Sequence, residues 1–249
     1  MQFEVCVDAA AGAQAAQAGG AHRVELCADL VEGGVTPSLG LIRLTRRAIS
    51  IGLHVLIRPR GGDFLYSDLE YETMRADILA AGEAGADGVV LGLLLPDGRV
   101  DVERTGALVE LARPMAVTFH RAIDMARDAG EALEAILGLG IERVLTSGRA
   151  PTALAGAGCI AGLVRQAAGR GVVMAGGGIT AENLPQLLAA TEVSEVHFSA
   201  RAARPSAMIY RNLGCWMGKT YTPDEYTQKE TDPRLVRDII EAAQRHGLP

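Results

Sequence analysis

Eight short apolar runs recur along the chain, at residues 3–7, 23–27, 53–57, 88–91, 115–119, 143–146, 172–175 and 195–199. Most are rich in β-branched residues. Each is too short for a helix, so each is predicted to be a strand buried on both faces. Their starts lie 20 to 35 residues apart. Helical stretches fill most of the gaps: 9–19, 39–51, 69–84, 102–112, 130–139, 161–168 and 181–190, with 233–244 closing the chain. The first ends at Gly19-Gly20. The second places Leu41, Ile42, Leu44, Ala48 and Ile49 at helical spacing and stops at Gly52. Eight strands each feeding a helical segment predict an α/β fold, a single (β/α)8 TIM-like barrel. A doubly wound sheet is the alternative. Even spacing and the lack of a Pro/Ser-rich linker favour one closed domain over residues 1–249.

Composition narrows the function. A 249-residue chain with 49% apolar residues buries a large core without staples. A net charge of −6 argues against non-specific nucleic-acid binding. Aromatic content of 4% disfavours a stacking platform for bases or sugars. No apolar run approaches the ~18 residues of a membrane span. The first residues run straight into a strand pattern with no signal peptide, so a cytoplasmic protein with no membrane partner is expected. The four cysteines, Cys6, Cys27, Cys159 and Cys215, form no C-x-x-C pair and are expected to be free thiols.

In such a barrel, chemistry sits in the loops that follow the strands. Two are long and glycine-rich, 28–38 and 59–67, and such loops are usually functional. A third segment, 201–231, carries Trp216, Tyr210, Tyr221 and Tyr226. It is expected to be irregular and to cap the barrel or form a subunit contact in a homo-oligomer.

Polar residues inside strands carry the chemical signal. Glu4 and Cys6 share one face of the first strand, and Glu25 and Cys27 share one face of the second. The two thiols should stand on neighbouring strands about 5 Å apart. Paired soft thiolates suit Cu(I); tetrahedral zinc would need help from His120 or His197. The other reading of such cysteines is small buried hydrophobes. Buried carboxylates need partners, which Arg23, Arg58, Arg60 and Arg121 could supply as internal ion pairs. Alternatively Glu4, Glu25 and His120 form an acid/base set.

An anion-binding set is also visible. His120-Arg121 and Asp124 leave the fifth strand, and His197 and Ser199 end the eighth. Thr146-Ser147-Gly148 ends the sixth. Gly176-Gly177-Gly178 ends the seventh, with Thr180 as a cap for the next helix. Backbone amides at Gly177 and Gly178, with Arg58 or Arg60, would hold a phosphate or carboxylate. The string GGGITA matches a dinucleotide fingerprint only weakly, because it falls in the seventh unit. GCWMGKT resembles a phosphate loop but is one residue short and follows no strand. His22, His54 and His246 carry no such pattern.

The motifs FEVCVD, RVELCADLVEGGVTPS, IRPRGGDFLYS, GADGVVLG, TFHRAIDM, ERVLTSG, AGGGIT and EVHFSA occur in this order. Together they resemble the CutC family, the so-called copper homeostasis proteins, from residue 3 to about 200. The resemblance implies a TIM-like barrel, a cytoplasmic location and a role in copper handling. It also implies Cu(I) ligands at the cysteines of the Glu-x-Cys motifs, which are Cys6 and Cys27. Two functions therefore stand: a Cu(I)-binding protein, or a TIM-barrel enzyme acting on a small phosphorylated or carboxylated metabolite.

Overall fold

Successive side chains of a strand point to opposite faces. In this chain most of the eight strands offer an apolar face to the helices, and their other face mixes polar, small and apolar residues. The computed structural model, which describes residues 1–215, 217 and 224–245, closes these strands into one barrel.

The elements run β1 (Gln2–Val7), α1 (Ala10–Gly19), β2 (Arg23–Leu26), α2 (Leu39–Ala48), β3 (Gly52–Leu56), α3 (Asp68–Glu83), β4 (Gly88–Leu91), α4 (Val102–Ala112), β5 (Ala116–Phe119), α5 (Ala122–Met125), α6 (Ala129–Gly138), β6 (Arg143–Thr146), α7 (Ala157–Ala167), β7 (Val172–Gly176), α8 (Leu184–Thr191), β8 (Glu195–Phe198), β9 (Arg201–Pro205), β10 (Thr227–Thr231) and α9 (Pro233–Arg245). Strands β1 to β8 pair in parallel, in sequence order, and β8 returns to β1 with Glu4 opposite His197. This is the expected (β/α)8 architecture.

Two apolar clusters follow from the alternation. Val5, Val24, Leu53, Val89, Phe119, Val144 and Val196 face outwards and merge with the helices in one large core. Inside the barrel a second, small cluster holds Cys6, Cys27, Leu56 and Val90. Deeper in the interior lies a largely polar layer: Glu4, Arg23 and Glu195 are buried there as ions, with the His54 ring beside Glu4. Glycines make room for the large interior groups. A Cβ on Gly88 would lie 2.6 Å from the His54 ring, and one on Gly92 would lie 2.6 Å from the His120 ring.

Caps set the helix starts. The Ser38 hydroxyl accepts from Leu41 N at 3.2 Å, and Ser67 with Glu70 forms a capping box at α3. After β7 the Thr180 hydroxyl accepts from Asn183 N at 3.4 Å, the expected cap bond, although it closes a turn ahead of the helix. Thr180 N donates to Asn183 Oδ1 at 2.9 Å, forming a turn, and α8 begins only at Leu184 behind Asn183. The short helix α5, absent from the sequence reading, follows from a tight return of the chain after His120.

The 201–231 segment bears the antiparallel pair β9–β10 at its two ends. Trp216 and Tyr221 lie outside the described residues, as does His246. Among the described residues no helix is long and apolar enough to cross a membrane.

Candidate functional site

Strand register puts the charged residues of β1, β2 and β8 side by side. Glu4 is opposite Arg23 on one neighbour and His197 on the other. The Arg23 guanidinium donates to Glu4 and, at 2.7 Å, to Glu195, which also accepts from Arg143 Nε at 2.6 Å. Glu4 Oε1 lies 2.7 Å from His197 Nδ1. Burial opposes the charge on Glu4, but the hydrogen bond from His197 and the charge of Arg23 outweigh it. Its carboxyl is held well below the usual carboxylate range. Glu4 is thus an anchored anion inside an ion-pair network, beneath the mouth. Glu195 and Arg143 were not singled out from sequence. Their signal was charge on the inward-facing positions of short apolar strands.

One step towards the C-terminal ends of the strands lies the thiol pair. Cys6 Sγ is 3.6 Å from Cys27 Sγ and 3.5 Å from Glu25 Oε1. The contact with Cys27, burial and the neighbouring Glu25 together push the Cys6 thiol well above its ordinary pKa. Cys27 is fully buried behind Cys6 and contacts the Val7 carbonyl at 3.5 Å. The loop after β2 covers it. Gly34, at φ +92°, passes so close that a Cβ there would meet Leu56 at 2.8 Å and Cys27 at 3.3 Å.

Cys6, Glu25 and His197 each offer one ligand atom, and these atoms all lie within 4.8 Å of one another. The sequence offered His197 both to the anion set and as a further ligand beside the thiols; its side chain stands with Cys6 and Glu25 and also lines the cavity. Burial disfavours its charge, but Glu25 and Glu4 outweigh that and raise its pKa. Burial raises the Glu25 carboxyl, whose Oε2 has no partner among the described residues.

Above this floor opens a cavity of about 950 Å³ at the C-terminal ends of the strands. Of the candidate residues, Cys6, Glu25, Arg58, His120 and His197 line its inner part. Arg121, Asp124, Gly177, Gly178 and Ser199 line the β5, β7 and β8 side. Glu4, Cys27, Arg60, Thr146 and Ser147 do not line it.

Arg60 is turned into its own loop, where it bonds Glu70, Asp63 and the Leu65 carbonyl. Thr146 and Ser147 are held behind Asp124. Asp124 accepts from Thr146 Oγ1 at 2.5 Å, from Ser147 N at 3.0 Å and from Arg149 N at 3.0 Å. Burial works against its charge, but these bonds outweigh it and lower its pKa. Arg121 joins the same network through Asp124 at 2.9 Å and Ser147 at 2.6 Å.

Arg58 ties two loops together. Its guanidinium donates to the carbonyls of Glu32, Gly34 and Gly62 at 2.7 to 2.8 Å and lies over the Phe64 ring. Phe64 in turn packs on His120, ring centroids 4.9 Å apart. His120 Nδ1 accepts from Ala122 N at 3.2 Å, so the ring proton sits on Nε2. Burial and the Arg58 charge push the His120 pKa down to about 3 and keep the ring neutral.

The profile of the CutC family matches residues 1–202. A mouse protein named copper homeostasis protein cutC homolog is 51% identical over 237 residues, covering 95% of this chain and 87% of the relative. A CutC family protein of Chromobacterium violaceum is 50% identical over 240 residues, covering 96% and 97%. Among solved structures, CutC from Streptococcus agalactiae superposes with a TM-score of 0.76 at 33% identity, covering 80% of this chain and 98% of that one. N-(5'-phosphoribosyl)anthranilate isomerase from Pyrococcus furiosus reaches 0.57 at 14% identity, covering 98% and 99%, a likeness of fold alone.

Proposed function

Because the chain belongs to the CutC family, we propose that it serves copper homeostasis by holding Cu(I) between the thiolates of Cys6 and Cys27. The observation that carries this reading is the 3.6 Å separation of the two sulfurs at the floor of an open cavity. Two soft donors at that spacing can share one soft ion, with Cys6 reachable from the mouth. The surrounding groups suit the task. Glu4 fixes His197 through Nδ1 and so leaves Nε2 turned away from Glu4 as a third donor. Metal-bound histidines are oriented by carboxylates in this manner. A reducing, cytoplasmic compartment would keep both thiols free to bind.

Competition with a Cu(I) chelator under reducing conditions tests the reading. One Cu(I) per chain is expected in the parent protein. Cys6→Ser and Cys27→Ser are each expected to weaken binding at least a hundredfold, and His197→Gln by less. Unchanged affinity in both cysteine variants would remove Cu(I) from this site.

A further inference from the structure

A single ion fills a small part of the cavity. At about 950 Å³ it lies at the upper end of the range for small-molecule sites, and such sites are apolar with a few convergent polar groups. Its walls fit that description. Phe64, Leu65, Leu94 and Pro96 supply apolar surface.

Three lining side chains carry polar atoms left unmatched among the described residues: Arg58 Nε, whose guanidinium is otherwise taken by loop carbonyls, and one atom each of His120 and Glu25. Among the described residues, His120 Nε2 and Glu25 Oε2 are buried without a hydrogen-bond partner. Both residues are about 5% exposed. A buried polar group without a partner costs about 1–3 kcal/mol. His120 Nε2 is a donor, because Nδ1 is taken by the Ala122 amide. Glu25 Oε2, on β2, is an unmatched carboxyl oxygen of a residue lining the same cavity. Neither group is required by a two-thiol copper site.

The β7 side of the cavity has a different character. Gly177 at φ +109° and Gly178 at φ +69° bring bare main chain to the surface. Among the described residues, their amides donate to no protein group. The Arg121 guanidinium, ion-paired with Asp124, lies 3.8 Å from where a Gly177 Cβ would stand and so borders the bend.

We infer that the cavity binds a small hydroxylated organic anion. Its oxygen substituents pair with His120 Nε2 and Glu25 Oε2, and its phosphate or carboxylate rests on the Gly177 and Gly178 amides beside Arg121. Phosphate and carboxylate share this chemistry, and the choice of probes separates them.

Thermal shift and calorimetric titration with dihydroxyacetone phosphate, glycerol 3-phosphate, L-malate and neutral glycerol test the inference. A saturable rise in melting temperature is expected with the phosphorylated probes or with malate, and none with glycerol at the same concentrations. Response to the phosphates alone assigns the glycine bend to phosphate; response to malate alone assigns it to carboxylate. His120→Phe keeps the ring packed on Phe64 and removes the donor, and should weaken binding about tenfold. Glu25→Leu removes an under-partnered buried carboxyl, so it keeps the variant set informative if His120→Phe fails to fold; it should weaken binding several-fold. Equal affinity in the folded variants, equal affinity for glycerol, or no saturable shift with any probe would overturn the inference.

Discussion

His197 Nδ1 lies 2.7 Å from Oε1 of the fully buried Glu4, and this bond crosses the β8–β1 seam where the barrel closes. The same carboxylate takes the Arg23 guanidinium on its other side. One side chain therefore connects β8, β1 and β2 and orients the histidine that reaches the thiol.

Removing that carboxylate is expected to be costly. Glu4→Ala leaves Arg23 with only Glu195 and leaves His197 without its acceptor. Breaking a buried pair by deleting one partner costs about 3–5 kcal/mol. Urea unfolding should show a midpoint shift of that size, with Glu4→Gln intermediate. A shift below about 1 kcal/mol would mean that water reaches the network.

Acid should destabilise the protein well above the carboxylate range. Burial pushes His54 down to about 4 and His120 down to about 3. An unfolded histidine titrates near 6.5. Below that pH the unfolded chain takes up protons that the folded protein refuses, so stability falls as pH drops from 6.5 towards 4. The slope is about 1.4 kcal/mol per pH unit for each neutral buried histidine. His197 has the opposite sign: its raised pKa adds stability below pH 6.5 that is lost as pH rises through the folded value. The urea midpoint against pH should therefore slope less steeply in His54→Asn than in the parent.

Cu(I) binding should release protons. The Cys6 thiol is held in its protonated form by Cys27, burial and Glu25, and a metal needs the thiolate. Affinity should rise about tenfold per pH unit for each thiol proton displaced while pH stays below the thiol pKa. Calorimetry in two buffers of different ionisation enthalpy measures the protons directly, and a value near zero would contradict thiolate ligation.

Gly92 is the space that His120 occupies. A Cβ there would stand 2.6 Å from Cε1 and Nδ1 of the ring. Gly92→Ala should cost about 1–3 kcal/mol by overpacking. It should also shift the His120 ring signals in ¹H–¹⁵N spectra, because the ring must turn away from the Ala122 amide. Unmoved signals would place the ring elsewhere.

Arg58 is expected to act as a clamp for the loops after β2 and β3. Its guanidinium bonds three backbone carbonyls at once. Lysine keeps the charge but lacks the planar fork. Arg58→Lys should lower stability by about 1–3 kcal/mol. Limited proteolysis should then cut within 29–34 or 60–65 faster than in the parent, and an unchanged cleavage pattern would deny the clamp.

Much of the architecture was legible in the sequence because strand periodicity is a local property. The eight apolar runs coincide with β1 to β8 within one or two residues, and their regular alternation with helices leads to a closed parallel barrel. Less legible were features made by contacts between side chain and backbone. The Thr180–Asn183 turn delays α8, and the return after His120 forms α5. The candidate site divides the same way. Cys6, Glu25, His120 and His197 announced themselves as polar residues in apolar strands. Arg60 looked equally available beside Arg58, yet its loop curls so that Glu70 and Asp63 take its guanidinium.

By itself the sequence determined which residues face the barrel axis, since alternation in a strand leaves only two faces and the apolar one goes to the helices. Tertiary structure alone decided what those inward residues do. Parallel register set Glu4 between Arg23 and His197, turning a carboxylate that could have served as an acid or base into the centre of an ion-pair network. The loop over Cys27 closed one thiol off and left the other on the cavity floor. Hydrogen bonding to Ala122 chose which ring nitrogen of His120 is left unmatched in the cavity wall. The last is a local bond across two residues, made by the tight return after His120, but the first depends on distances between segments far apart in the chain. Local pattern does not encode such distances; they arise only when the eighth strand meets the first.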